Sequence, residues 1–142
     1  MRHGETDWNR DGIIQGHSDT PLNDRGVQTA RSLARRLSSR TISAAYSSDL
    51  IRAAETARIT VEGRPVPTET YKDLREFSYG EWEGLTLQEA MLLGPGVFDR
   101  RLDLGKGDFA APGGETTAQL VGRVRRFYAR AIERHDPDED LL

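Results

Sequence analysis

The chain has 142 residues, enough for one domain with a core and too few for two of ordinary size. Hydrophobic residues make up 36% and charged residues 30%, with a mean hydropathy of -0.65; the core-forming complement is thin, and no apolar run is long enough to span a bilayer, so no membrane partner is expected. A net charge of -3 and a pI near 5.6 argue against nucleic-acid binding through a basic surface, because phosphate-backbone affinity needs accumulated positive charge.

With no cysteine there is no disulfide framework and no thiolate metal site, which fits a reducing cytoplasm, the expected location. Lys72 and Lys106 are the only lysines, so nearly all positive charge is arginine. A guanidinium grips oxyanions through a rigid fork. Codon bias is the plainer explanation for most of these arginines.

The opening, "MRHGETDWNRDG", sets Arg2, His3 and Gly4 side by side in a polar stretch unlike a signal peptide. Next, "PLNDRGVQTARSLARRL" places Val27, Ala30, Leu33, Ala34 and Leu37 at helical spacing, with Asn23 as N-cap. "TISAAYSSD" predicts a short strand through Ile42 and Tyr46, followed by Ser48 and Asp49 as caps for a helix across "LIRAAETARIT". Gly63, Pro65 and Pro67 end that helix, and "VPTETYKDL" alternates like a strand.

Thr86 and Glu89 form a capping box before "LQEAMLL", and Thr116 with Gln119 forms another before the longest helix. That helix carries Leu120, Val121, Val124, Phe127, Tyr128, Ala131 and Ile132 as its predicted core stripe. Between the boxes, "LGPGVFDRRLDLGKGDFAAPGG" reads as a mobile connection of the kind that covers a site. Helices alternating with short strands predict an α/β domain with a mainly parallel sheet, whose ligand site lies beyond the carboxyl ends of the strands.

Of the three histidines, His135 ends the last helix, where a cation suits the dipole, and His17 in "QGHSDT" reads as a possible bystander. His3 differs, with a cation before it and a glycine after it. A neutral imidazole attacks phosphorus, and guanidinium groups hold the equatorial oxygens of a transferring phosphoryl group. Arg2, His3, Asn9, Arg52 and Glu76 supply the residue types such chemistry needs. An Arg-His-Gly triplet alone is common by chance, and Glu76 by itself reads more readily as a surface carboxylate paired with Arg75.

Five blocks in order, "RHGETDWN", "QGHSDTPLNDRG", "SSDLIRAAETA", "LREFSYGEWEG" and "PGGET", resemble the histidine phosphatase superfamily, which includes cofactor-dependent phosphoglycerate mutases. The resemblance covers essentially the whole chain and implies a three-layer α/β/α sandwich and reaction through a phosphohistidine. It makes His3 the phosphoryl acceptor, with Arg2 and Arg52 clamping the oxygens and Asn9 donating a hydrogen bond. Glu76 becomes the general acid. That role needs a proton near neutral pH, and burial against Phe77, Tyr79 and Trp82 would favour it. Gln15 and Gly16 match one substrate loop, and Gly114, Glu115 and Thr116 a second.

The family's second histidine, in a Ser-His-Gly stretch, has no counterpart in this chain. Its place falls shortly after Leu142, and the strand that delivers Arg-His-Gly is also missing. The 142 residues are therefore expected to be one domain that is incomplete at both ends.

The short connection from Gly84 to Pro112 and the wording "LREFSYGEWEG" resemble the phosphatase branch, including broad-specificity and α-ribazole phosphatases, more than the mutases. The expected activity is hydrolysis of a small phosphorylated metabolite with no cofactor and no metal, since no histidine pair or carboxylate cluster has ligand spacing. A phosphoglycerate mutase and an impaired phospholigand-binding protein are the alternatives. Homo-oligomerisation is compatible with all three.

Overall fold

The computed structural model describes residues 1–93 and 110–142. The connection predicted to be mobile falls largely outside the described residues. In chain order the elements are α1 (Asp7–Arg10), α2 (Asp24–Arg36), β1 (Ala45–Ser47), α3 (Ile51–Thr60), β2 (Thr68–Thr70), 3-10 turns at Lys72–Leu74 and Gly80–Trp82, α4 (Leu87–Leu93) and α5 (Thr117–Arg134). None of the described helices is long and apolar enough to cross a membrane.

The strands pair in parallel, Ala45 opposite Thr68 and Ser47 opposite Thr70, so the expected parallel sheet is present. On the other edge of β1, Leu141 bridges Ala44 in parallel, and the Tyr46 N–H donates to the Leu142 carbonyl at 2.7 Å. β1 is therefore flanked on both sides. His135 pins the intervening turn: one ring nitrogen contacts the Tyr46 hydroxyl at 2.6 Å and the other the Glu139 carboxylate at 2.7 Å.

Local signals set most helix starts. The Asn23 carboxamide oxygen accepts from the Gly26 N–H at 2.9 Å, and both predicted capping boxes are formed, Thr86 with Glu89 and Thr116 with Gln119. The start of α3 is different. Its N-cap is Leu50, with no side-chain cap, because the Asp49 carboxylate is taken by Arg75 at 2.6 and 2.5 Å. The Ile51 N–H is met instead by Asp19, at 2.7 Å.

The predicted stripe of α5 is also corrected. Its buried residues are Arg123, Phe127 and Ala131, whereas Val121, Tyr128 and Ile132 are exposed. Phe127 packs edge-on against Tyr46 and Tyr71, with centroids 5.4 and 5.3 Å away, and that contact sets the helix rotation. Tyr128 and Ile132 are left facing a cavity.

The interior is built from small side chains. Ala30, Ala45 and Ala57 are buried where α2, α3 and β1 meet, and a second cluster gathers Trp82, Ala90 and Ala111. Small residues let backbones approach closely. Gly26, in the first turn of α2, lies against the Glu5 backbone, and a Cβ on Gly4 would stand 2.6 Å from the Gly26 carbonyl oxygen. The Gly4 N–H donates to the buried Thr56 hydroxyl at 2.9 Å, and the Asn23 N–H to the Glu5 carbonyl at 3.0 Å. The opening residues are thus fixed between α2 and α3.

Gly26→Ala separates two opposed effects. Helix propensity favours alanine by about 1 kcal/mol, while the collision with the Glu5 backbone costs about 1–3 kcal/mol. Urea unfolding should give a lower midpoint with an unchanged slope. A midpoint above wild type would show that α2 does not rest on Glu5.

Candidate functional site

His3 is half-buried at the end of the clamped opening segment. Its Nδ1 lies 2.7 Å from the Gly4 carbonyl oxygen, which only accepts, so Nδ1 carries the proton. Nε2 therefore presents a lone pair, and the Arg52 Nε–H donates to it at 3.3 Å. Burial lowers the His3 pKa below 6.5; the Gly4 bond opposes that, Arg52 and Arg2 lower it further, and Glu76 raises it. The ring is thus held neutral, in one tautomer, with a nucleophilic nitrogen beside a cation.

Arg52 reaches this point from the first turn of α3 and is only 1% exposed. Its remaining bonds run to the carbonyls of Ser18 and Gly16, both at 2.7 Å. A buried guanidinium needs hydrogen-bond partners to offset its lost hydration. These three bonds leave two N–H groups for an anionic ligand.

The Gly16–Ser18 loop is shaped by Glu83, a residue the sequence reading does not single out. One Glu83 oxygen accepts from the backbone N–H groups of His17 at 2.9 Å and Tyr79 at 3.0 Å, and the other from the Ser18 hydroxyl at 2.9 Å. Gly16 has φ +53°, and a Cβ there would collide with that carboxylate. Gln15, expected in a substrate loop, is buried, with its side-chain oxygen accepting from Thr6 at 2.9 Å and Thr20 at 2.5 Å. Asn9 closes the α1 cap through its Oδ1, which leaves Nδ2 as its donor.

Glu76 is exposed, and the expected burial against aromatics is absent, because Phe77, Tyr79 and Trp82 pack with one another and with Ile14. Nor does it pair with Arg75, which is committed to Asp49. Glu115 is held by Arg123 in a buried, bidentate pair at 2.5 and 2.9 Å and accepts from the Ser78 N–H at 2.9 Å. Thr116 spends its hydroxyl capping α5. His17 is no bystander: its Nε2 is 3.0 Å from the Glu76 carbonyl.

Arg2, His3, Arg52 and Glu76 line one cavity of about 870 Å³, whereas Asn9, Gln15, Gly16, Glu115 and Thr116 lie outside its lining. Sequence reasoning missed Glu83, Arg123 and Thr56. Glu83 sits within the "GEWEG" block, but nothing in residue order marks a side chain that binds backbone groups.

His3 should titrate below its ordinary 6.5 when its ring resonances are followed by NMR. The unfolded chain then binds that proton more readily, so His3 contributes stability above pH 6.5 that is lost as pH falls toward the folded value. A His3→Gln variant should lack that loss. A ring titrating above 6.5 would contradict the geometry.

Residues 1–142 match the histidine phosphatase superfamily (branch 1). Phosphoglycerate mutase-like protein 4 of Arabidopsis thaliana is 41% identical over 138 residues, covering 95% of this chain and 60% of that protein. The adenosylcobalamin/alpha-ribazole phosphatase of Salmonella typhimurium is 40% identical over 83 residues, 58% of this chain and 41% of that one. The chain thus spans less than two thirds of either relative. Bacillus stearothermophilus YhfR superposes with a TM-score of 0.89 at 35% identity, over 99% of this chain and 69% of that structure. On sequence and on fold, the chain belongs to the histidine phosphatase superfamily.

Proposed function

We propose that this chain carries the phosphoryl-accepting site of a phosphomonoester hydrolase that acts on a small phosphorylated metabolite. The observation behind the reading is the His3 ring, with Nδ1–H tied to the Gly4 carbonyl and an unprotonated Nε2 that accepts from the Arg52 Nε–H. In the first step the Nε2 lone pair forms a P–N bond as the ester P–O bond breaks, and Glu76 gives its proton to the departing alkoxide. In the second step a water oxygen attacks phosphorus, Glu76 takes the water's proton, and the P–N electron pair returns to Nε2. Arg52 and the exposed Arg2 balance charge on the phosphoryl oxygens.

Hydrolysis is favoured over phosphoglycerate interconversion by the short Gly84 to Pro112 connection and by the phosphatase named among the relatives. The mutase-like relative keeps the alternative testable. Faster interconversion of phosphoglycerates than phosphate release would make the mutase reading correct.

His3→Ala should abolish phosphate release from every ester. Glu76→Gln should lower kcat/KM for alkyl phosphates by about 10²–10⁴-fold while leaving kcat/KM for 4-nitrophenyl phosphate, whose leaving group needs no proton, nearly unaffected. Steady-state kinetics on both ester types checks this. Residual turnover in His3→Ala would remove the nucleophile, and equal loss on both esters in Glu76→Gln would remove the acid.

A further inference from the structure

The Glu76 carboxylate makes no hydrogen bond among the described residues, so its place is set through its backbone. That backbone is gripped from two sides. Arg123 Nη2 donates to the Glu76 carbonyl at 2.7 Å, and His17 Nε2 meets the same oxygen at 3.0 Å. Arg123 Nη1 also donates to the carbonyls of Asp73 at 2.9 Å and Arg75 at 2.6 Å. The carbonyls of Asp73, Arg75 and Glu76 and the Ser78 N–H are thus met by side chains from α5 and from two loops, instead of by a ladder.

Both grips are anchored. Arg123 is 8% exposed and locked by the bidentate Glu115 pair. The His17 N–H is fixed to Glu83, and the carbonyls on either side of it, Gly16 and Ser18, hold Arg52. One loop therefore touches both the cation beside His3 and the backbone of Glu76.

We propose that Arg123 and His17 are positioning residues, which fix the Glu76 carboxyl relative to His3 Nε2 so that the proton and the phosphoryl group move together. This rests on the reading of Glu76 as the general acid. A displacement near 1 Å at a reacting group costs roughly 10²-fold. Loss of either grip should act on the proton-transfer component and spare a step that needs no proton.

The test uses His17→Ala and Arg123→Lys. The first removes one ring contact at the surface. The second keeps the charge opposite Glu115, where Arg123→Ala would leave a buried carboxylate unpaired and threaten the fold, but an ammonium cannot span that carboxylate and three carbonyls. For each variant kcat/KM is measured on an alkyl phosphate and on 4-nitrophenyl phosphate, alone and combined with Glu76→Gln. The expected result is a fall of about 10–10²-fold on the alkyl ester, a change of less than about threefold on the nitrophenyl ester, and disappearance of the effect in the Glu76→Gln background. Equal loss on both esters, or loss that persists without the acid, overturns the proposal. If Glu76→Gln itself shows no ester selectivity, the acid assignment fails and takes the proposal with it; if it is selective and the two variants are not, the proposal alone fails.

Discussion

One of the buried arginines, Arg52, organises this structure. The Arg52 guanidinium lies in the interior at 1% exposure, where an unmet donor costs several kcal/mol. Its partners are two loop carbonyls and one imidazole nitrogen, drawn from separate parts of the chain. Satisfying Arg52 therefore brings the Gly16–Ser18 loop and His3 to the same point on α3. Much of the surrounding architecture serves that convergence. Glu83 shapes the loop, Thr56 receives the Gly4 N–H, and Gly4 and Gly26 let the opening segment lie against α2.

The electrostatics follow from the same placement. A half-buried histidine beside two arginines resists protonation. The neutral form is not left floppy, because the Gly4 carbonyl fixes which nitrogen carries hydrogen. Burial and Coulomb repulsion by Arg52 and Arg2 disfavour a proton on Nε2, which accepts from the Arg52 Nε–H instead. Glu76, exposed among the residues that line the same cavity, is held through its peptide carbonyl. His3 and Glu76 thus sit in contrasting environments, half-buried for one and open to solvent for the other.

Local rules carried much of the fold. Helical spacing located α2 and α5, and the two capping boxes marked the starts of α4 and α5, because these signals depend on residues three or four apart. Where a residue had a distant competitor, local reading failed. Asp49 looked like a cap for α3, but Arg75, far along the chain, offers two charged donors and outcompetes a backbone N–H. The apolar stripe of α5 predicted burial for Tyr128 and Ile132, yet those side chains face a cavity instead of a packed layer.

The site was legible in part for the same reason. The blocks containing Arg2, His3, Arg52 and Glu76 were recognisable, and these four residues meet at one cavity. Glu83, Arg123 and His17 act on backbone groups distant in sequence, and a carbonyl acceptor leaves no mark in residue order. The account stands or falls on covalent chemistry at His3 Nε2, so the most direct measurement is to mix the protein with 4-nitrophenyl phosphate, quench in alkali and map the modified peptide by mass spectrometry. The account predicts phosphate on His3, labile to acid. Phosphate on another side chain, or ligand binding with no covalent adduct, would contradict it.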